Sequence, residues 1–337
     1  MTDAQAKKSF ERYRYAGLAV DPIHVGTGGA RLGRVDNTIV RDPATKLPKI
    51  PGSSLAGVLR TYVAMAEENG RDQQKRSKPY YPDCAGQGQP SADGSGGHCK
   101  QPTCKVCTVF GFAGGKDSVG GFAGLAGFSD MHLLLFPVAT REGPMWVTSP
   151  GALRLAGIDH EIDDENKVYR KNGQGRSLNL GWLLLNGGNL TDADLDGRLT
   201  DFGIPAYIRD RIALVSDKLF SHVVNSNLEV RTSVAIDAST GAAQEGALFT
   251  YEALPRSSVL CWDVICRFPG HFRIGAEQVE AVQSLEDVHN VVKQGHPYLE
   301  ALGIGGMGTR GMGRLKVLDA SSGTAAETLE VQARGRA

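Results

Sequence analysis

No stretch of 18 uninterrupted apolar residues occurs in the 337-residue chain, which argues against a membrane-spanning helix. The segment from Met1 to Tyr15 is polar and lacks an apolar core, so no signal peptide is expected and the protein is expected in the cytoplasm. Net charge is absent too. With 37 basic residues against 37 acidic ones, the chain is not a polycation that coats nucleic acid indiscriminately. Cysteine is sparse, at six residues, and a reducing compartment keeps such thiols out of a disulfide framework. Two nucleotide-binding signatures are missing as well. The glycine-rich run from Gly303 to Gly313 has no Gly-Lys-Ser/Thr after it and leads into an expected strand, so neither a P-loop nor a Rossmann fingerprint fits.

What is present is enough apolar residue, 41%, and enough length to bury a core in one large domain or two ordinary ones. The charge is uneven: residues 1–80 hold 14 Lys/Arg against 8 Asp/Glu, the kind of excess an RNA-binding face needs. Glycine is abundant, at 43, and its clusters at 86–97, 111–127 and 303–313 point to loops and close backbone approaches.

One stretch organises the rest. Val35-Asp36-Asn37-Thr38 runs into the turn signal Asp42-Pro43 and a second one, Pro51-Gly52, after which Ser53 or Ser54 stands where an N-cap belongs. Leu55, Val58, Leu59, Tyr62 and Val63 then repeat at helical spacing. A helix whose first turn presents bare N–H groups favours phosphate, and Arg41, Lys46, Lys49 and Arg60 flank it with positive charge. Taken alone, Asp36 reads as an Asx-type turn residue.

The segment 68–98 is polar, rich in Gly, Gln, Ser and Lys and without a hydrophobic period, and reads as an insertion that ends in a second cluster. Cys104 and Cys107 form a C-x-x-C pair that lets two sulfurs reach one tetrahedral ion from a tight turn; Cys99 and Cys84 complete the shell, with His98 as the substitute for Cys84. The chemistry indicates a structural Zn²⁺ that staples a segment too polar to fold alone.

Along the chain, strands are expected at 13–25, with His24 at the exit, and at 128–137, buried on both faces because it hardly alternates. A short helix is expected at 152–156, a flexible loop at 158–180 and a helix at 204–226. A strand at 228–237 pairs with 248–255 as a hairpin, 259–266 is a strand that makes Cys261 and Cys266 core residues, and 279–292 is an amphipathic helix. The Gly305, Gly306, Arg310 and Arg314 loop precedes a closing strand and combines close backbone approach with charge.

Four segments together resemble the RAMP superfamily, the backbone subunits of type III CRISPR effector complexes: His24-Val25-Gly26, the Asp36 loop with Ile50-Pro51-Gly52-Ser53-Ser54-Leu55, Leu134-Leu135-Phe136-Pro137-Val138, and Gly305 to Arg314. The run from Val215 to Pro255 is similar to the Cmr-type backbone subunit, whereas the cysteines before Phe110-Gly111 look more like the Csm-type one. The resemblance implies an α+β, ferredoxin-like (RRM-like) βαββαβ core, or palm, over 1–67, 108–150 and 256–320. It also implies a zinc-bearing insertion at 68–107, a helical and hairpin thumb over 151–255, and a flexible tail at 321–337. It implies an endoribonuclease that lines up head to tail with further copies of itself along a guide RNA, beside other effector subunits, and cuts the paired target RNA at regular intervals. Asp36 falls on the cleaving position, His24 and more loosely Glu252 on positions linked to cleavage, and Mg²⁺ or Mn²⁺ is expected to assist. Arg41, Lys49, Ser53, Ser54, Arg60, Gly305, Gly306, Arg310 and Arg314 are the expected RNA contacts. Ala56 stands where many relatives carry Lys, which removes one phosphate contact. Rival readings are a catalytically inactive RNA-binding subunit of the same complex and a guide-precursor-processing ribonuclease, the latter disfavoured by the cysteine insertion.

Overall fold

A computed structural model describes residues 8–28, 35–70, 79–86, 97–114, 120–191 and 193–318; the expected tail at 321–337 and much of the 68–107 insertion lie outside these. The chain opens with strand β1 (Phe10–Ala19), the short β2 (Lys49–Ile50) and helix α1 (Gly52–Asn69). Helix α2 (Lys105–Phe110) follows, then β3 (Ala126–Phe128), β4 (Met131–Thr140), β5 (Gly143–Thr148) and α3 (Pro150–Leu155). The next stretch holds β6 (Lys167–Arg170), β7 (Leu178–Leu180), β8 (Leu183–Asn189), α4 (Ala193–Asp201), α5 (Ala206–Arg209), β9 (Ile212–Leu214) and α6 (Asp217–Ser226). A hairpin, β10 (Glu229–Ile236) and β11 (Ala243–Ala253), leads to β12 (Val259–Arg267). The small pair β13 (Arg273–Ile274) and β14 (Glu277–Gln278), helices α7 (Leu285–Lys293) and α8 (His296–Ala301), and β15 (Leu315–Leu318) close the chain.

Mixed α/β structure is built on one 11-stranded sheet whose main path runs β15-β1-β12-β4-β5-β9-β6-β8-β7. At its start, β15, β1, β12 and β4 pair antiparallel throughout. Helix α1 covers this part with a stripe at Leu55, Leu59, Tyr62 and Val63, and α7 adds Val288, Val291 and Val292. On the opposite face, Leu134, Leu135, Val259 and Cys261 pack against Leu153, Leu195, Leu199 and Ile208. Both faces of β4 and β12 are therefore covered, which is why their sequences run apolar almost without alternation. Cys261 and Cys266 are core residues, as expected.

Three expectations fail for physical reasons. The helix expected at 204–226 is broken, because Ile212-Ala213-Leu214 leaves it to pair parallel with Trp146-Val147-Thr148. Ser216 then caps a new helix by accepting from Leu219 N–H. The expected loop at 158–180 contains β6 and β7, which extend the sheet through β8. Finally, α7 begins only at Leu285, where Ser284 and Asp287 form a capping box, so Val279 and Val282 are buried outside the helix. The hairpin of β10 and β11 stands apart as its own two-stranded sheet, as its alternating sequence indicates.

Candidate functional site

The chain leaves β1 along β11: Ile23 bridges Leu254, Asn37 bridges Tyr251, and Gly26 bridges Ile39. Three consecutive residues of β11 hold this loop. Thr250 donates to Asp36 Oδ2 from its backbone N–H and from its hydroxyl, each at 2.8 Å. Tyr251 meets the His24 ring edge-on, with centroids 5.9 Å apart. The backbone oxygen of Glu252 accepts from His24 Nδ1 at 2.6 Å, and its carboxylate takes Arg41 Nη2 at 2.9 Å.

Asp36 is exposed, and its carboxylate makes the contact to a residue 214 positions away rather than the local Asx turn its sequence context suggests. The two Thr250 donors, backbone first, hold its acid below the ordinary carboxylate range. It is thus charged at neutral pH and weaker as a proton acceptor than a free aspartate. His24 is 7% exposed. Because a carbonyl can only accept, Nδ1 carries the ring proton and Nε2 is the basic nitrogen. The His24 carbonyl in turn accepts from Gly306 N–H at 2.9 Å. That approach requires Gly305: its φ is +89°, and a Cβ there would lie 2.3 Å from the His24 oxygen.

Most of the cations expected to face RNA are already engaged. Arg41 is spent on Glu252, on Asn225 Oδ1 at 3.0 Å and on the Ile39 carbonyl. Lys49 Nζ pairs with Asp130 at 2.6 Å, and Arg314 grips Asp21 with two nitrogens. Arg310 is different: it is exposed and has no carboxylate partner among the described residues, only Met307 Sδ at 3.8 Å. The first turn of α1 is not bare. Pro51 rather than Ser53 or Ser54 is the N-cap, Gly52 N–H donates to Asp130 Oδ1 at 2.8 Å, and Ser54 N–H returns to the Pro51 carbonyl. A carboxylate from β3–β4 therefore fills the anion position expected for phosphate. Asp130 was the missed residue; its Ser129-Asp130 context between two apolar runs marks a turn, but nothing local shows that it reaches α1.

Arg60 requires the largest correction. It is buried, donating to the carbonyls of Cys84 and Gly111, and so is withdrawn from any phosphate. Burial pulls its guanidinium below the usual range, while the neighbouring cysteines act the other way. Those cysteines form the second site. The sulfurs of Cys84, Cys99, Cys104 and Cys107 all lie within 4.8 Å of one another, and the group could hold a metal ion. Cys84 and Cys104 sulfurs are 3.9 Å apart, and those of Cys99 and Cys107 are 3.8 Å apart. Four thiolates around one tetrahedral ion at ordinary zinc–sulfur bond length stand about 3.8 Å apart, so the spacing fits. His98 stays outside this set, with both ring nitrogens buried and without a hydrogen-bond partner among the described residues.

The model of the RAMP superfamily matches residues 18–316, and the chain belongs to that superfamily. It is similar to the CRISPR system Cmr endoribonuclease Cmr4 of Pyrococcus furiosus, at 28% identity over 74% of this chain and 79% of the relative. A shorter match, 31% identical over 29% of this chain and 32% of the relative, is to the CRISPR system Cms endoribonuclease Csm3 of Methanothermobacter thermautotrophicus. In fold the chain is similar to a subunit of the type III-B Cmr-beta complex in its apo state, with TM-score 0.58, 15% identity and coverage of 91% of this chain and 96% of that one. It is likewise similar to a crystal structure of Cmr4, with TM-score 0.55, 18% identity and coverage of 92% and 100%.

Proposed function

We propose that this chain is a backbone subunit of a cytoplasmic type III CRISPR ribonucleoprotein, gripping guide RNA in head-to-tail copies beside other effector subunits and cutting the paired target RNA at Asp36. The observation that carries this reading is the exposed Asp36 carboxylate, held on a loop that hairpin β10–β11 supports, within a RAMP chain similar to a Cmr endoribonuclease. The antiparallel order β15-β1-β12-β4, with α1 and α7–α8 as crossovers, supports a ferredoxin-like palm. The four cysteines hold Zn²⁺ in the 68–107 insertion, and buried Arg60 offsets the negative charge of four thiolates. Within 151–255, β10–β11 is the thumb proper, and β6–β9 belong to the extended sheet.

In cleavage, the target's own 2′-oxygen forms a bond to phosphorus while the bond from phosphorus to the 5′-oxygen breaks; the 2′-hydroxyl proton leaves and the departing 5′-oxygen gains one. Asp36 is too acidic to be an effective base toward a hydroxyl. It orients the 2′-hydroxyl, or offers one carboxylate oxygen to Mg²⁺ or Mn²⁺. Among the described residues, no group of three or more ligands surrounds Asp36, so phosphate and water would complete such a shell, as Mg²⁺ commonly accepts. The ion's chemistry would be neutralisation of charge on the phosphate oxygens. His24, being buried, acts through Glu252 and the glycine-rich loop rather than on substrate.

The decisive measurement is target cleavage by the assembled complex carrying Asp36→Ala. Guide and target binding are expected to persist while the cleavage rate falls by roughly a hundredfold or more. Cleavage at the unsubstituted rate would remove Asp36 from the mechanism and leave a purely RNA-binding subunit.

A further inference from the structure

A surface aspartate ordinarily samples several rotamers, so its two oxygens have no fixed direction. Asp36 does not have that freedom. The backbone N–H and the hydroxyl of Thr250 both donate to Oδ2, and Asp36 N–H donates back to Thr250 Oγ1 at 3.1 Å. One hydroxyl can do this because it is both donor and acceptor. No other described residue is seen to donate to Oδ1; the carboxylate's remaining interaction is with its own backbone N–H. Around this clasp the backbone is locked in register: Asn37 N–H donates to the Thr250 carbonyl and Glu252 N–H to the Asn37 carbonyl, both at 3.0 Å. Two donors on one oxygen fix the carboxylate's torsions and leave the other oxygen without a donor from Thr250.

We propose that Thr250 is the positioning residue for this carboxylate, holding Oδ2 so that Oδ1 meets the scissile nucleotide in one set orientation. The proposal rests on the reading of Asp36 as the cleaving residue. It also gives β11 a second role, since the strand that forms the thumb hairpin carries, at its base, the side chain that aims the chemistry. Thr250 itself need not touch RNA.

Thr250→Val and Thr250→Ala each remove the hydroxyl and leave the backbone donor, whereas Thr250→Ser keeps both donors. In the assembled complex, single-turnover cleavage of saturating target is expected to slow roughly ten- to hundredfold in the first two variants. Target affinity and melting midpoint are expected to hold, and Thr250→Ser is expected to recover most of the lost rate. A merely structural role would instead weaken target binding or lower the midpoint without recovery in the serine variant, and that pattern overturns the proposal. So does cleavage at the unsubstituted rate in both hydroxyl-free variants. Asp36→Ala, run in parallel, separates the two ideas. If it still cleaves, the reading of Asp36 has failed; if it is dead while the Thr250 variants are unimpaired, only the role of Thr250 has failed.

Discussion

The cysteine cluster and the Asp36 loop are opposite solutions to the problem of holding a few side chains still. In the first, four sulfurs come from 24 consecutive positions, three of them fully buried, with Arg60 donating beneath them. In the second, an exposed carboxylate depends on a strand 214 positions further along the chain. Local, buried construction suits the cysteine site to a stabilising role, because a metal held there only by the folded chain would add its binding energy to folding. Long-range, exposed construction buries little of Asp36 and leaves it accessible, as the proposed cleaving role requires. The comparison therefore separates effects on folding from effects on chemistry.

The strongest way to break that separation is at the cysteines. Cys104→Ser is expected to abolish stoichiometric zinc in elemental analysis and to destabilise the chain by several kcal/mol, since structural zinc sites bind with about 10–16 kcal/mol. Asp36→Ala, a change at an exposed carboxylate, is expected to leave the melting midpoint close to that of the unsubstituted chain. Calorimetry on both variants decides the matter. Equal midpoints would mean that the cysteine lobe does not support the fold.

A further effect is expected from acid. Burial holds His289 down at about 4 and His296 at about 3, with Tyr15 against both rings and Tyr13 stacked on His289. Folded-state values below the unfolded value of about 6.5 mean that the unfolded chain takes up protons first. Stability is thus fully present above pH 6.5 and is lost as pH falls toward 4 and 3, at up to about 1.4 kcal/mol per pH unit for each histidine. Denaturant midpoints at pH 7.5, 6, 5 and 4 should fall accordingly, and His289→Phe should flatten the slope. A midpoint constant across that range would contradict the burial of these rings.

Much of the fold is legible in the sequence because burial writes directly into residue pattern. The apolar runs of β4 and β12, the hairpin at Asp237 to Gly241 and the α1 stripe all follow from periodicity. So does the cysteine group, since C-x-x-C spacing is a local property. The break at Ile212-Ala213-Leu214 is not legible, because those residues keep helical spacing with their neighbours and are claimed by β5 only in the folded sheet. The partners of the expected RNA-facing cations are hidden for a related reason. Sequence shows that Arg41, Lys49 and Arg314 are basic, but Glu252, Asp130 and Asp21, which occupy them, arrive from 211, 81 and 293 positions away. Arg60 looks like a surface cation in the middle of a helix, and its burial against the Cys84 and Gly111 carbonyls appears only in the folded chain.

That difference among the cations yields the smallest expected effect and the sharpest test of the RNA face. A phosphate contact requires a cation whose charge is not already answered. Arg310, exposed on the loop that Gly305 anchors to His24, meets this condition, whereas Arg41 and Arg314 are held by carboxylates. Replacing Arg310 by Ala should weaken guide RNA binding uniformly across sequences and reduce the slope of log affinity against log salt by about 0.7, the share of one phosphate on single-stranded RNA. Replacing Arg41 should act differently, because it strands the partly buried Glu252 carboxylate. Its cost should therefore appear in the melting midpoint more than in the salt slope. Anisotropy titrations over a series of KCl concentrations distinguish the two. An unchanged slope for Arg310→Ala beside a reduced one for Arg41→Ala would mean that RNA pulls Arg41 away from Glu252, and that the loop is remade on binding.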